Sequence, residues 1–320
     1  RVRNDPEVDP ESGHPWSGRR LVECLREGAR RFGWAGRDPA PAARRRGGWW
    51  LGTGVASSTY PGRTLPGSRA AIGFGADGRY QVRIGAADLG TGTWTTLTQI
   101  AADALGCPFE DVRLEIGDSA LPPASIAGGS TGIASWGSAI VGAVQAFRDR
   151  HGKDPEPGAE AEAAAPENPD ASRFAIHSFG AQFAEVALHA DTGEIRVPRM
   201  LGVFSAGRIV NPRLARSQLI GGMTMGLSMA LHEHSVMDPR FGHVVNHDFA
   251  GYHVAANADV AELDAVWLEE EDPYANPVGA RGIGEIGIVG AAAAVANAAW
   301  HATGVRVRDL PITPDRFVLS

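Results

Sequence analysis

Cysteine is scarce in this chain of 320 residues, where only Cys24 and Cys107 are present. They lie far apart and form no Cys-x-x-Cys pair, which argues against a disulfide framework and against an iron–sulfur cluster held by this chain alone. An excess of positive charge is also absent: the net charge is −7, so no basic field favours nucleic acid. No apolar run reaches membrane-spanning length without charges or many glycines, so we expect no membrane partner.

The beginning of the chain lacks both a Met and a signal peptide, because it starts Arg1-Val-Arg3. We therefore expect a further segment to precede it, and cytoplasmic and periplasmic locations are both compatible with the sequence. What is present is an ordinary globular composition, 43% hydrophobic and 21% charged, in a chain long enough for two core-forming domains.

The most informative stretch is the glycine-rich segment 279–290, which surrounds one carboxylate, Glu285. From 283 to 296 the sequence is otherwise apolar, and poor solvation disfavours the ionised form of a carboxyl group, as in many general bases. Glycines let the backbone approach a large ligand, and the alanine-rich helix that follows offers free N–H groups to an anion. The segment therefore predicts a cofactor pocket with a poorly solvated acid.

Two other interpretations of this segment stay open on the residues alone. Gly282-x-Gly284-x-x-Gly287 matches the glycine pattern of a nicotinamide-binding Rossmann fold. That pattern leaves a strand directly, whereas a proline-containing stretch at 272–277 comes before it here. Glu285 also stands where it could merely cap the following helix.

Two more glycine-rich turns each follow a predicted strand and begin a predicted helix. A strand at 80–84 leads into Asp88-Leu-Gly-Thr-Gly-Thr93, and a strand at 112–116 leads through a loop into Gly128-Gly-Ser-Thr-Gly132. Orphan N–H groups and hydroxyls converge at such turns, so both are candidate anion-binding sites. Two alternative interpretations stay open. The glycines of the first turn could serve only to reverse the chain, and those of the second could serve close packing of the helix.

Residues 149–172 change in composition, being acidic, rich in proline and short of large apolar side chains. This predicts a linker between a first domain, 1–148, and a second domain, 173–320. In the second domain we expect a hairpin around Asp191-Thr-Gly193 and a helix from about 214 to 231. The methionines of that helix, at 223, 225 and 229, are typical of core filling.

The histidines near residue 240 predict no metal site. His232, His234, His243 and His247 lack the spacing of a helical zinc motif, and surface or structural roles are expected for them. Further strands are predicted at 244–250 and 265–269.

Several motifs follow one another in a characteristic order. They are Arg3-Asn-Asp-Pro6, Gly90-Thr-Gly-Thr93, Gly128-Gly-Ser130, Asn211-Pro212 with Gln218, Gly282-Ile-Gly-Glu285, His301-Ala-Thr-Gly304 and Arg308-Asp-Leu-Pro-Ile-Thr313. Together they resemble the molybdenum-binding subunit of the xanthine dehydrogenase and aldehyde oxidoreductase family, and most closely the periplasmic-type aldehyde oxidoreductase large subunit. The resemblance covers nearly the whole chain but only the C-terminal part of the family's subunit.

The resemblance implies an α+β fold of two molybdopterin-binding subdomains, each a mixed sheet packed with helices. It implies an enzyme that oxidises aldehydes or N-heteroaromatics with water as the oxygen source. The implied cofactor is molybdopterin, often as the cytosine dinucleotide, which holds molybdenum without a protein ligand to the metal. The implied partners are the upstream half of the subunit, with its substrate-pocket residues, and subunits carrying 2Fe-2S and FAD. Gly90-Thr-Gly92 replaces the Gly-Gln-Gly of the purine branch, which favours the aldehyde branch.

Carried over by position, Glu285 is the general base that removes a proton from metal-bound hydroxide or water. The cofactor contacts implied in the same way are Gly90, Thr91, Gly92, Ser130, Thr131, Ala134, Ser135, Gln218, Gly221, Gly222, Met223, Thr224, Gly226, Arg281, Gly282, Ile283 and Gly284. An alternative is a non-catalytic cofactor-binding or assembly module that keeps the fold without turnover.

Overall fold

The structure, a computed structural model, describes residues 4–318, so Arg3 of the first motif lies outside the described residues. The elements before residue 152 are α1 (Leu21–Phe32), β1 (Arg44–Arg46), β2 (Trp49–Pro61), β3 (Arg69–Phe74), β4 (Tyr80–Arg83), α2 (Thr93–Leu105), β5 (Val112–Glu115) and α3 (Gly132–His151). Those after it are β6 (Glu160–Ala164), β7 (His177–His189), β8 (Ile195–Ser205), α4 (Pro212–Leu231), β9 (Met237–Asp238), β10 (His243–Val244), β11 (Glu262–Trp267), α5 (Ile286–Val289), α6 (Ala291–Thr303) and α7 (Asp315–Val318).

Two mixed sheets packed with helices confirm the predicted α+β class. The larger sheet has the order β1-β2-β7-β8-β11, in which only the pair β8 and β11 is parallel. The smaller sheet has the order β5-β4-β3-β6, in which only β4 and β5 are parallel. Strands β9 and β10 form a separate two-residue ladder.

Both faces of the larger sheet are covered, because successive strand side chains point to opposite faces. On β7, Phe183 packs towards α1, whereas Ala184 packs into the core formed with α4 and α6. The smaller sheet packs against α2 and α3 around buried residues such as Leu97 and Ile140. Each sheet therefore has its own apolar core.

Two glycines let helix α6 lie directly on strand β2. A Cβ atom at Gly52 would stand 2.1 Å from the Ala298 carbonyl oxygen, and one at Gly54 would stand 2.2 Å from that of Ala294. Because the two glycines are two residues apart, they face the same side of the strand. The alanine-rich sequence of α6 completes this close approach.

The predicted linker at 149–172 differs from the structure, because residues 160–164 form β6 and pair with β3. Its alternation of Glu and Ala places Ala161 in the core and leaves Glu162 to pair with Arg69 at 2.6 Å. Alanine and glutamate are poor strand formers, which is why the composition indicated a linker. The larger sheet is also not divided at this point, since β2 before the segment pairs with β7 after it.

Other predictions have mixed outcomes. The hairpin around Asp191-Thr-Gly193 is confirmed as β7 and β8. The strand predicted at 244–250 is wrong beyond residue 244, where turns follow β10. Met223 is fully buried as expected of core filling, but Met225 is 63% exposed.

The stretch 286–303, formed by α5 and α6, has the length and apolar character of a membrane span, with a mean hydropathy of 1.3. The expectation that no apolar run reaches membrane-spanning length is therefore wrong for these residues. Within the protein 61% of this stretch is buried, as in the core helix of a globular domain.

Candidate functional site

A cleft of about 340 Å³ lies between the helices of the two sheets. Its lining comes from four segments that are distant in sequence, within 87–96, 127–136, 208–218 and 280–285. The predicted site residues that line it are Thr91, Ser130, Thr131, Ala134, Gln218, Arg281, Gly282, Ile283, Gly284 and Glu285. The fold therefore brings most of the predicted motifs to one place.

One side of the cleft is the glycine turn at 128–132, which begins helix α3. Gly129 and Ser130 have φ angles of 63° and 57°, and the Thr131 hydroxyl donates to the Gly128 carbonyl oxygen at 2.8 Å. The first turn of a helix leaves backbone N–H groups without intrahelical acceptors, and these carry partial positive charge. This side can therefore donate hydrogen bonds to an anionic ligand.

The opposite side is the loop at 280–285. The side chain of Arg281 anchors this loop to the protein interior. The Arg281 side chain is fully buried, donates to the carbonyl oxygens of Gly18 and His177, and pairs with Glu270 at 2.5 Å. Asp272 lies 3.5 Å from its Nε atom. The guanidinium therefore points into the interior, although Arg281 is among the residues that line the cleft, and its contact with a cofactor stays a prediction.

The two sides of the cleft touch at Gly282. A Cβ atom there would stand 2.3 Å from the Ser130 carbonyl oxygen, so only glycine permits this contact. The Gly282 carbonyl oxygen accepts a hydrogen bond from the Ser178 hydroxyl at 2.8 Å. The loop is therefore fixed both to the larger sheet and to the turn that begins α3.

Glu285 is half-buried in the cleft lining and accepts a hydrogen bond from the Ser130 hydroxyl, with 3.0 Å between Ser130 Oγ and Glu285 Oε2. It stands at the N-cap position of α5, but its side chain makes no capping hydrogen bond. The interpretation of Glu285 as a helix cap is therefore wrong. Its carboxylate faces a residue of the cleft instead.

Tyr60 is a neighbour of Glu285 that the sequence analysis missed. It lies near the end of β2, and hydrogen bonding to Glu285, together with burial and the charge of that carboxylate, raises the pKa of Tyr60 to about 12. No local pattern marks Tyr60, because its proximity to Glu285 arises only when β2 and α5 pack together.

The turn at 88–93 differs from the predicted anion-binding site. The Asp88 carboxylate accepts hydrogen bonds from the N–H groups of Gly90 at 2.8 Å and Gly92 at 3.2 Å. It also accepts one from Trp94 at 3.3 Å. Burial alone would raise the pKa of Asp88, but the backbone hydrogen bonds outweigh it and lower that pKa. Asp88 thus takes up these donors, and of the predicted residues Gly90, Thr91 and Gly92 only Thr91 lines the cleft.

Helix α4 contributes less to the cleft than predicted. Gln218 lines it, whereas Gly221, Gly222, Met223, Thr224 and Gly226 do not. Gly222 packs against the backbone of Gly287, and Gly226 against Ala291, so these glycines serve helix packing. The Ser135 hydroxyl is buried and donates to the Thr131 carbonyl oxygen at 2.8 Å, which also removes it from the lining.

The segment at 208–211 lines the cleft and was not among the predicted site residues. The Asn211 side chain caps α4 by accepting a hydrogen bond from the Leu214 N–H at 3.0 Å, with Pro212 as the first helical residue. Asn followed by Pro is a helix-start signal readable from sequence. Considered together with the helix starts that follow the turns at 88–93 and 128–132, this signal could have identified the segment as part of the site.

The nicotinamide interpretation is not supported by the local structure. Strand β11 ends at Trp267, and residues 268–285 separate it from the short helix α5. A Rossmann turn joins its strand and helix directly. Within residues 4–318, no three His, Cys, Asp or Glu side chains are grouped as metal ligands.

Comparison with known proteins gives a consistent result. A family model described as molybdopterin cofactor-binding domain matches residues 27–165 and 155–261. The chain is 39% identical to the aldehyde oxidoreductase molybdenum-binding subunit PaoC of Escherichia coli K12, over 99% of this chain and 47% of PaoC. It is 30% identical to the probable hypoxanthine oxidase XdhD of the same organism, over 94% of this chain and 35% of XdhD.

The fold is shared with solved structures. The aldehyde oxidoreductase from Desulfovibrio desulfuricans ATCC 27774 superposes with a TM-score of 0.81 at 24% identity, over 96% of this chain and 36% of that one. Likeness at this identity establishes the arrangement of sheets and helices. The chain spans less than half the length of the two curated relatives.

Proposed function

Because the chain belongs to the molybdopterin cofactor-binding domain family, we propose that it is the C-terminal portion of a molybdenum hydroxylase. The proposed reaction is oxidation of an aldehyde or an N-heteroaromatic compound with water as the source of oxygen. The observation that carries the proposal is Glu285, held half-buried in a cleft where several glycine-rich turns and helix starts meet. The names of PaoC and XdhD support the two substrate classes, and the higher identity to PaoC favours aldehydes.

The cleft residues fit a large anionic prosthetic group. The first turn of α3 offers N–H groups, and Gly128 leaves open space beside its backbone, since a Cβ there would meet nothing within 4 Å. We propose that molybdopterin, as its cytosine dinucleotide, is held by residues 130–134, Thr91, Gln218 and the backbone of 282–284. When bound, this group supplies the two-electron redox chemistry that side chains cannot perform.

Glu285 would act as the general base of the reaction. A carboxylate takes up a proton efficiently when it is positioned within hydrogen-bonding distance of the group that loses it. Ser130 orients this carboxylate through Oε2. Gly282 and Gly284 let Ser130 pack closely against the loop that carries this carboxylate.

The electrons would have to leave through other subunits. Cys24 is fully buried, and burial raises the pKa of its thiol. Burial likewise raises the pKa of Cys107, and these two cysteines are fewer than the four thiolates that usually hold an iron–sulfur cluster. We propose partners that carry 2Fe-2S and FAD, together with the upstream half of the molybdenum subunit. That PaoC is named a molybdenum-binding subunit supports an assembly of this kind.

Cofactor content tests the binding part of the proposal. Molybdenum and pterin would be measured in the purified protein, produced alone and together with the products of neighbouring genes. We expect pterin and molybdenum in near-equal amounts in the complete assembly. A bound nicotinamide nucleotide in place of a pterin would overturn the assignment.

Replacement of Glu285 tests the catalytic part. We expect Glu285→Gln to keep molybdenum and pterin at the level of the unmodified enzyme but to lower turnover at least about a hundredfold, because the amide cannot accept the proton. Glu233→Gln is the matched control, since Glu233 accepts a hydrogen bond from Tyr252 at 2.8 Å outside the cleft lining. Near-normal turnover of Glu285→Gln with full cofactor would show that Glu285 is not the base.

A further inference from the structure

We propose that Ser178 and Gln182 of β7 are positioning residues for Glu285, because each donates a hydrogen bond to the backbone of the segment that carries this carboxylate. The inference rests on the proposed function of Glu285 as the base. Neither side chain lines the cleft, so neither is placed to contact a substrate or a cofactor there. The two residues would act on the reaction only through the position of Glu285.

The two hydrogen bonds lie on either side of Glu285 in the chain. The Ser178 hydroxyl donates to the Gly282 carbonyl oxygen at 2.8 Å, and Gln182 Nε2 donates to the Ile286 carbonyl oxygen at 3.1 Å. Ser178 and Gln182 are four residues apart on one strand, so both point to the same face of the larger sheet. Because a strand rises about 3.3 Å per residue, their Cα atoms are roughly 13 Å apart. The segment is therefore held at two well-separated points.

A third contact holds the carboxylate itself, from the turn that begins α3. The Ser130 hydroxyl donates to Glu285 Oε2 at 3.0 Å. A catalytic side chain works best when supporting contacts hold it within about 0.5 Å of its productive position. The contact from Ser130 can orient the carboxylate correctly only if the backbone that carries Glu285 stays in place, and the two bonds from β7 provide that constraint.

The surroundings of Gln182 indicate that its bond brings direction more than stability. Gln182 is fully buried, and its Oε1 atom has no hydrogen-bond partner within residues 4–318. A Cβ atom at Gly290 would stand 2.1 Å from this oxygen, so a glycine at that position makes room for the amide. A buried acceptor without a donor disfavours the folded state, which offsets the gain from the bond to Ile286. What remains is that the bond fixes the carbonyl group of the residue that follows Glu285.

The first test is Ser178→Ala in the complete, cofactor-loaded enzyme, a change that removes one oxygen atom. Displacement of a catalytic group by about 1 Å can lower a rate about a hundredfold. We expect a smaller displacement, with kcat lowered roughly tenfold and KM within about twofold, because the cleft lining is unchanged. Molybdenum and pterin contents should not change. Gln182→Met, which keeps the length of the side chain but not the donor, should have the same effects.

Each variant has a matched control. Ser58 on β2 is buried and faces the same side of the sheet as Ser178, but its hydroxyl has no hydrogen-bond partner among the described residues. Ser58→Ala therefore removes the same atom without removing a bond. For Gln182→Met the control is Asn297→Leu, since the Asn297 amide also donates to a backbone carbonyl oxygen, that of Val55 at 3.0 Å, outside the cleft lining. The kcat of both controls should be unchanged.

The double variant Ser178→Ala, Glu285→Gln separates a positioning role from a general structural defect. If Ser178 acts through Glu285, its replacement should not lower the residual turnover of Glu285→Gln any further, because no base is left to position. A further tenfold fall in turnover would show that Ser178 supports another feature of the site, and would overturn the inference.

A second readout does not depend on activity. Amide hydrogen exchange, followed by mass spectrometry of peptides that cover residues 280–290, reports how often this segment opens. Exchange should be faster in Ser178→Ala and in Gln182→Met than in the unmodified protein and in Ser58→Ala. Unchanged exchange in both variants would show that the two bonds do not hold the segment, and the inference would be wrong.

The outcomes separate the two proposals. If Glu285→Gln is fully active, Glu285 is not the base and the positioning role falls with it. If Glu285→Gln is inactive but Ser178→Ala and Gln182→Met both retain normal kcat, the positioning role alone is wrong and the base assignment stands.

Discussion

Asp88 decides what the glycine turn at 88–93 does. A Gly-Thr-Gly turn before a helix is typical of an anion-binding site, but here the anion is the protein's own carboxylate. Asp88 accepts from backbone N–H groups around the start of α2, which is the role of a helix cap. One acidic residue ahead of the glycines is the feature in the sequence that should have changed the prediction.

Asp88→Ala should therefore destabilise the protein, by about 1–2 kcal/mol at pH 7, the usual range for a lost cap. Because the pKa of Asp88 is lowered in the folded protein, its stabilisation is fully present above the unfolded pKa near 4. It is then lost as pH falls further, through the lowered pKa of the folded state. The free energies of unfolding of the unmodified protein and of Asp88→Ala should therefore become more similar as the pH falls. Urea unfolding at neutral and acidic pH would measure both free energies. Asp154→Ala is the control, because Asp154 is exposed. If the difference in unfolding free energy between the unmodified protein and Asp88→Ala stayed constant with pH, the capping role of Asp88 would be contradicted.

At the scale of elements, prediction succeeds where one local signal is sufficient. Helix α2 was predicted from its apolar spacing and ends at Gly106, which adopts the left-handed conformation expected of a helix end. Strand β6 was missed, because its alanines and glutamates carry no strand preference and pairing with β3 supplies the stability. Glu285 was identified from a local contrast, one acid among apolar residues. Tyr60 has no such contrast around it, so only packing identifies it.

The contact of β2 with α6 shows an element-scale dependence on glycine. Gly54→Ala should lower the free energy of unfolding by about 1–3 kcal/mol, because the added methyl group meets the α6 backbone, which cannot move aside as a flexible side chain would. Thermal or chemical unfolding would measure the change. Gly73→Ala is the matched strand control, since its nearest neighbour would be 3.8 Å away. Equal stability of the two variants would show that α6 is not seated on β2 as described.

At the scale of the whole molecule, the cleft exists because segments from both halves of the sequence are held against each other. The motif order revealed which segments matter, and the resemblance to a family supplied the ligand. The direction of each side chain was not available from that order. Arg281 illustrates this, because its position in the glycine motif predicted a ligand contact while its guanidinium is turned towards Glu270 and Asp272.

Arg281, Glu270 and Asp272 form a buried ion cluster that anchors the loop at 280–285, so the shape of the cleft depends on these interior charges. Arg281→Met should destabilise the protein by about 3–5 kcal/mol, because Glu270 and Asp272 would remain buried without their partner. The double variant Arg281→Met, Glu270→Gln should recover part of that loss, since it removes one of the stranded charges. Arg216→Met is the control, because Arg216 and Asp264 form a half-exposed pair at 2.8 Å worth under about 1 kcal/mol. Chemical unfolding of the unmodified protein, the two single variants and the double variant would measure these differences in stability. If the double variant were no more stable than the single one, Arg281 would be stabilising the loop at 280–285 through its bonds to backbone carbonyl oxygens and not through the buried charges.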